Sequence, residues 1–220
     1  MKISNRLKLI ASFVDDNSYV IDVGCDHALL DIFLVQNKAN VKTIASDVNK
    51  GPLDSAVKNI QDYELEDKIE VKLGDGIRTI NNQVDTIVIS GLGGETIIDI
   101  LKEDTNRLKN VKTIILSPHS DIYQVRKEVT NLGYKIVDEL FIYDQKKPYV
   151  IIKFVKGKEK YSDDELFFGP IILKEKNDSF YRYYHELIKK NKEVLEKVPT
   201  DNIIKKSIEK EIKKIESVLN

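Results

Sequence analysis

Twelve consecutive residues constrain this chain most: Tyr19-Val20-Ile21-Asp22-Val23-Gly24-Cys25-Asp26-His27-Ala28-Leu29-Leu30. A short β-branched run ends in an acid and a glycine, then passes into an apolar pattern of helical spacing. This is a strand–turn–helix corner whose backbone must turn sharply at Gly24, where a side chain would obstruct a ligand. About 20 residues further on, as in ribose-binding folds generally, a second strand Thr43-Ile44-Ala45-Ser46 ends in Asp47, with Val48 beside it. A carboxylate there can accept from both hydroxyls of a ribose. The corner lacks a full Gly-x-Gly-x-x-Gly, because Asp26 stands where a second glycine would be. A pyrophosphate is repelled by a carboxylate so close, so a dinucleotide is disfavoured. A nucleoside carrying a positive centre, such as S-adenosylmethionine, fits better.

The same alternation continues along the chain. Residues Ile3 to Val14 place Leu7, Ile10, Ala11 and Val14 on one helical face. Arg6 and Lys8 fall away from it, which reads as a solvated face or a phosphate contact. Leu29 to Val35 continues the corner as a helix, and Gly51-Pro52 opens another through Leu53, Ala56, Val57 and Ile60. Strands are expected at Lys68–Leu73, Asp85–Ser90 and Thr113–Leu116, running into Gly74-Asp75-Gly76, Gly91-Leu92-Gly93-Gly94 and Ser117-Pro118-His119. Strands alternating with helices predict a parallel, doubly wound sheet. Lys135–Tyr143 and Tyr149–Val155 are joined by only Asp144-Gln145-Lys146-Lys147-Pro148, and so short a connection makes them antiparallel. Five parallel strands closed by an antiparallel hairpin is the α/β, Rossmann-like layout of class I methyltransferases, by analogy of element order.

Beyond Gly157 lysine and glutamate dominate. Phe180, Tyr184, Leu187, Asn191, Val194 and Val198 step by three and four, as do Ile204, Ile208, Ile212, Ile215 and Leu219. Pro199-Thr200-Asp201 separates the runs, with Thr200 or Asp201 as a cap for the second. The expected organisation is a catalytic domain over 1–157 and a helical hairpin over 158–220. The net charge of −1 gives no global attraction for nucleic acid, so an RNA site would need local clusters. On the first long helix Tyr181, Arg182, His185, Lys189 and Lys190 are such candidates, or simply a solvated face. No apolar run is long enough to span a bilayer, and the single cysteine, Cys25, suits a reducing cytoplasm. The three histidines and Cys25 lack ligand spacing for zinc, so no metal is expected.

The loops after the strands carry the candidate chemistry. Asp22, Gly24, Cys25, Asp26 and His27 form the first, Asp47 and Val48 the second. In the third, Asp75 is placed to accept from an adenine's exocyclic amine, while Gly74 and Gly76 let backbone approach the ring; a tight-turn aspartate is the alternative. Ser90, Gly91, Leu92, Gly93 and Gly94 form the most informative loop. Enzymes that methylate exocyclic amines usually hold the amine here with an Asn/Asp/Ser-Pro-Pro-aromatic stretch. Small residues instead make room for a flat base whose ring nitrogen already bears a lone pair and needs in-line positioning. His119 is a further candidate on the same rim.

At these residues the chain resembles the bacterial tRNA (adenine-22-N1)-methyltransferases. The resemblance rests on Arg6-Leu7 with Phe13-Val14, Asp22-Val23-Gly24-Cys25-Asp26-His27-Ala28, Gly51-Pro52-Leu53 with Ala56 and Asn59, Gly74-Asp75-Gly76, and Gly91-Leu92-Gly93-Gly94. The chain departs from the family at Leu92, usually Met, and at Ser117-Pro118-His119, usually Gln-Pro-Asn. The resemblance implies a Rossmann-like domain followed by a coiled-coil-like helical domain, both used on tRNA, with S-adenosyl-L-methionine as methyl donor. In the reading that follows, Asp47 holds the ribose, Asp75 and Gly76 the cofactor adenine, and Asp22, Gly24 and Asp26 its methionine end. Gly91, Gly93 and Gly94, with Asp26 and His27, form the catalytic pocket around the target base. The expected enzyme is cytoplasmic and monomeric, with a homodimer left open. A methyltransferase of small molecules or proteins, and a catalytically silent RNA-binding module, are the competing readings.

Overall fold

The computed structural model describes residues 3–197, 199 and 203–219. Seven strands form one sheet: β1 (Tyr19–Val23), β2 (Lys42–Asp47), β3 (Ile69–Leu73), β4 (Thr86–Ser90), β5 (Thr113–Ser117), β6 (Tyr134–Asp144) and β7 (Lys147–Lys156). Their order is β3-β2-β1-β4-β5-β7-β6. The first five run parallel, and β7 lies antiparallel to both β5 and β6. The central strands are buried on both faces, as the continuous runs Ile87-Val88-Ile89 and Ile114-Ile115-Leu116 require. β3, at one edge, exposes Glu70 and half-exposes Lys72; charges there discourage edge pairing.

Helices α1 (Asn5–Phe13), α2 (Leu29–Asn37) and α3 (Lys50–Asp62) cover one face, and α4 (Gly94–Glu103) and α5 (Ile122–Asn131) the other. Ile10, Leu30 and Leu34 pack on Val20, Val88, Ile115 and Ile151. Ile97, Leu101, Val125 and Val129 pack on Ile21, Ile87, Ile89 and Ile114. Because β1 has β2 on one side and β4 on the other, the crossovers diverge there and leave a crevice at the strands' C-terminal ends.

The hairpin differs from the expected five-residue connection. Asp144 pairs with Lys147 and Tyr143 with Pro148, so only Gln145 and Lys146 turn, at φ 48° and 66°. Two successive positive φ values are the signature of a type I′ turn, whose twist matches the strands it joins. Lower in β6 the register shifts between Ile136 and Asp138. The extra residue, Val137, turns Glu139 onto the buried face that Asp138 would otherwise occupy.

The helical segment begins earlier than its two long stripes suggest. α6 (Asp163–Phe168) and α7 (Ile172–Glu175) precede α8 (Asp178–Leu195) and α9 (Ile203–Leu219). α6 starts in a capping box: Glu165 N–H donates to Ser162 Oγ at 3.2 Å and Ser162 N–H to Glu165 Oε2 at 2.8 Å. Phe168, Ile172, Phe180, Tyr184 and Ile215 belong to the same core as β4 and β5. The α8 stripe thus divides along its length: Phe180 and Tyr184 are buried, Leu187 and Asn191 half-buried, Val194 exposed. Asn191 donates to Glu211 at 3.1 Å and Lys192 to Glu216 at 3.0 Å, so α9 does fold back on α8. The expected cap at Thr200 or Asp201, and Val198, lie outside the described residues.

Candidate active site

The corner after β1 is pinned from two sides. Gly24 and Cys25 N–H both donate to Ser46 C=O of β2, at 2.8 and 3.1 Å, and Asn59 of α3 donates to His27 C=O at 2.9 Å. The chain between β1 and α2 takes positive φ at Gly24 (76°), Asp26 (51°) and Ala28 (55°), a strained conformation for the two non-glycines. A Cβ at Gly24 would meet no atom within 4 Å. The space beside it belongs to a cleft of about 370 Å³ at the switch point between β1 and β4, within the range of small-molecule sites.

Asp22, Gly24, Cys25, Asp26 and His27 line this cleft on the β1 side, Asp47 on the β2 side, and Ser90, Gly91 and Leu92 on the β4 side. Six of the expected residues do not line it. Val48 is exposed beside Asp47, and Asp75 is exposed beyond the end of β3. Gly74 and Gly76 shape the turn that carries Asp75: a Cβ at Gly76, where φ is 51°, would press on Ile100 of α4 at 2.9 Å. Gly93 precedes α4, and Gly94 opens it while packing on the loop before α5. A Cβ at Gly94 would lie 2.5 Å from Ser120 C=O and 2.8 Å from Asp121 Cβ. In the second half of the glycine loop, close packing explains Gly94 better than contact with a base. The Asp26 and His27 side chains stand at the cleft mouth, 3.5 Å apart and largely exposed.

Two groups go beyond the expected set. Arg6 is not on a merely solvated face: α1 delivers it to the cleft rim. Its backbone N–H donates to Asp144 at 3.1 Å, its guanidinium lies 3.4 Å from His119 Nε2, and it sits 4.8 Å from the centre of the Tyr149 ring. Burial first, then Arg6 and Lys147, hold the His119 imidazole below its ordinary pKa, so at neutral pH it is an uncharged acceptor for Arg6. The glycine loop and the loop after β5 are stitched together by Gly91 N–H to Ser117 C=O (3.2 Å) and His119 N–H to Leu92 C=O (2.9 Å). That brings Arg6 and His119 to within 4.0 Å of where a Cβ on Gly91 would be.

The second is Asp31 of α2, fully buried directly behind Asp22. Burial, then the Asp31 carboxyl, then Asp47, push Asp22 well above the usual carboxylate range. Burial lifts Asp31 to about 6, partly offset by the neighbouring Thr43 hydroxyl and by Asp22. Burial and these same carboxylates also push the Cys25 thiol up, which keeps it protonated and unreactive.

The sequence model of the tRNA (adenine(22)-N(1))-methyltransferase family matches residues 20–217. The chain belongs to this family. It is 27% identical over 205 residues to the tRNA (adenine(22)-N(1))-methyltransferase of Bacillus subtilis, covering 90% of this chain and 86% of that one. Streptococcus pneumoniae Sp1610, solved with S-adenosyl-L-methionine, superposes with a TM-score of 0.92 at 34% identity over the whole of both chains. M. capricolum TrmK, solved with S-adenosyl-homocysteine, superposes at 0.90 with 29% identity, again over the whole of both. The family's reaction, methyl transfer from S-adenosylmethionine to N1 of adenine 22 in tRNA, is the reaction of this enzyme. The donor set suits that cofactor: carboxyls for an ammonium and a ribose diol, and glycine backbone left open where Gly24 and Gly91 face the cleft. Among the described residues no group of three or more His, Cys, Asp or Glu could hold a metal ion, and no helix is long and apolar enough to cross a membrane.

The expected RNA contacts on α8, Tyr181, Arg182, His185, Lys189 and Lys190, are all exposed. Arg182 is also paired, 3.0 Å from Glu186 and 4.2 Å from the centre of the Tyr143 ring. A groove of about 680 Å³ leads from His119 past Tyr123 and Tyr183 to Lys210 and Lys214 of α9.

Proposed function

We propose that the cleft divides the work of methyl transfer between its two ends. Asp47 takes the ribose hydroxyls, Asp22 with the Gly24 turn takes the amino-acid end, and the cofactor adenine extends past Asp47 toward Asp75 and Gly76 on the loop after β3, outside the cleft lining. Gly91 and Leu92, rimmed by His27, Arg6 and His119, receive the target adenine. When bound, the cofactor supplies an electrophilic methyl group on a sulfonium. The chain's own contribution is to hold the adenine ring in line and to exclude water; a neutral adenine N1 already carries its lone pair, so no side chain need remove a proton first. The observation that carries this reading is the meeting of Asp22, Asp47, Gly24 and Gly91 in one cleft. Residues 1–157 act as the catalytic unit, and 158–220 as a helical arm along which the groove from His119 guides tRNA. The protein works as a cytoplasmic monomer without a metal.

Two variants test the two ends. Asp47→Ala should weaken S-adenosylhomocysteine binding about tenfold, the worth of one charge-assisted hydrogen bond, measured by calorimetry; unchanged affinity would remove Asp47 from the ribose. Arg6→Ala should leave that affinity within about twofold but lower kcat/KM for unmodified tRNA about tenfold. The assay is transfer of labelled methyl followed by nucleoside analysis for 1-methyladenosine. A wild-type rate for Arg6→Ala would return Arg6 to the solvated surface.

A further inference from the structure

Asp31 presents a problem that the fold alone does not answer. Its side chain is fully buried, flanked in sequence by Leu29, Leu30, Ile32, Phe33, Leu34 and Val35, yet neither carboxyl oxygen meets a hydrogen-bond donor in good geometry. The adjacent Thr43 hydroxyl is close enough to favour the charged form of Asp31 but likewise falls short of a well-formed hydrogen bond. Among the described residues neither Asp31 nor Asp22 forms an ion pair. The titratable and charged groups around the pair are Asp47 from β2, Cys25, Asp26 and His27 from the turn and, across the cleft, Arg6 from α1 and His119 from the loop after β5. Two ionised carboxylates cannot hydrogen-bond to each other and repel strongly in a dry site. One proton between them removes both penalties. Asp22 reaches the cleft wall and Asp31 stands behind it, so a cation arriving at Asp22 makes the second negative charge affordable.

We propose that Asp31 is a positioning residue: in the empty cleft it shares one proton with Asp22, and docking of the cofactor's ammonium group expels that proton to solvent. An O–H bond of the pair is broken, the proton passes to water or buffer, and the two carboxylates then face one cation through Asp22. This rests on the assignment of Asp22 to the cofactor's amino-acid end. Linkage fixes the sign. Binding that releases a proton strengthens as pH rises, by up to about tenfold per pH unit below the titration of the pair, and levels off above it.

The test is calorimetric titration of the full chain with S-adenosylhomocysteine, which keeps the ammonium and cannot react. Buffers of different ionisation enthalpy count the protons released. At pH 6 the wild type should release between about half a proton and one proton per ligand bound, and Kd should fall several-fold from pH 5 to 6.5. Asp31→Asn, nearly isosteric, should still bind but release less than about 0.2 proton, with a flat pH profile. Absence of proton release by the wild type overturns the proposal without recourse to any variant, and so does Asp31→Asn with wild-type release. Asp22→Asn separates the underlying assignment. If it binds as tightly as the wild type, Asp22 does not hold the ligand; if it binds weakly while Asp31→Asn keeps the wild-type proton count, only the shared proton is refuted.

Discussion

Arg126→Ala should lower the free energy of unfolding by about 3–5 kcal/mol, the usual cost of deleting one partner of a buried ion pair. Arg126 of α5 and Glu139 of β6 are almost wholly inaccessible and lie 2.7 Å apart. The guanidinium also donates to the Leu166 and Phe167 carbonyls at 3.0 Å, capping the C-terminus of α6. Glu139 accepts in turn from Ile171 N–H at 3.1 Å, just before α7. One ion pair therefore ties the sheet, α5 and the start of the helical arm together. Removing the cation leaves Glu139 buried without its counter-charge and frees two helix-end carbonyls with no replacement donor. Gly169 leaves no slack, since a Cβ there would lie 2.5 Å from Glu139 Oε2 and 2.7 Å from Arg126 Nη2, at a φ of 99°. Gly169→Ala should accordingly be destabilising as well. Urea unfolding checks both, and a loss below about 1 kcal/mol for Arg126→Ala would mean that the aromatic packing of Phe168, Phe180 and Tyr184 holds the arm unaided.

That clamp also marks where the sequence stops being legible. The alternation of strands and helices, the antiparallel closing hairpin, the corner at Gly24 and the placing of Asp47 and Gly91 follow from local signals: strand runs, turn glycines and an acid at a strand's end. The partnership of Arg126 with Glu139 depends on the bulge at Val137, which reverses the alternation that would have left Glu139 outside. Nothing in the run Tyr134-Lys135-Ile136-Val137-Asp138-Glu139 announces which residue is the extra one. Arg6 was hidden for a different reason. Helical periodicity separates it correctly from the apolar stripe, but the periodicity of one helix carries no information about the loop after β5 that rises beside it. Asp31 did leave a signal, an acid inside seven residues that are otherwise apolar, and a buried carboxylate in such a setting is costly enough to demand a reason. The Ser162 to Glu165 capping box likewise announces α6, which the longer stripes of α8 and α9 overshadow.

Two glycines of one loop should fail in opposite ways. Gly91→Ala should reduce methyl transfer to tRNA by on the order of 10²-fold, the scale of a misplacement of about 1 Å at a reacting centre, while costing only about 1–2 kcal/mol in stability for an alanine at positive φ. At Gly91, φ is 83° and a Cβ would meet nothing closer than Arg6 and His119 at 4.0 Å, so the added methyl is tolerated by the protein and excluded only by whatever lies between those side chains. Gly94→Ala should behave conversely. Its Cβ would collide with Ser120 C=O at 2.5 Å and approach Val125 Cγ2 at 3.0 Å, forcing α4 from the loop before α5 and straining the bond from Gly94 N–H to Ser120 Oγ. Overpacking of this kind costs about 1–3 kcal/mol, and the remaining folded fraction should bind S-adenosylhomocysteine normally. Measuring kcat/KM and the urea midpoint on both variants separates the roles. An active Gly91→Ala would move the target base away from the β4 loop, and the rim of Arg6, His119 and Tyr149 would then have to receive the adenine from the side of the groove.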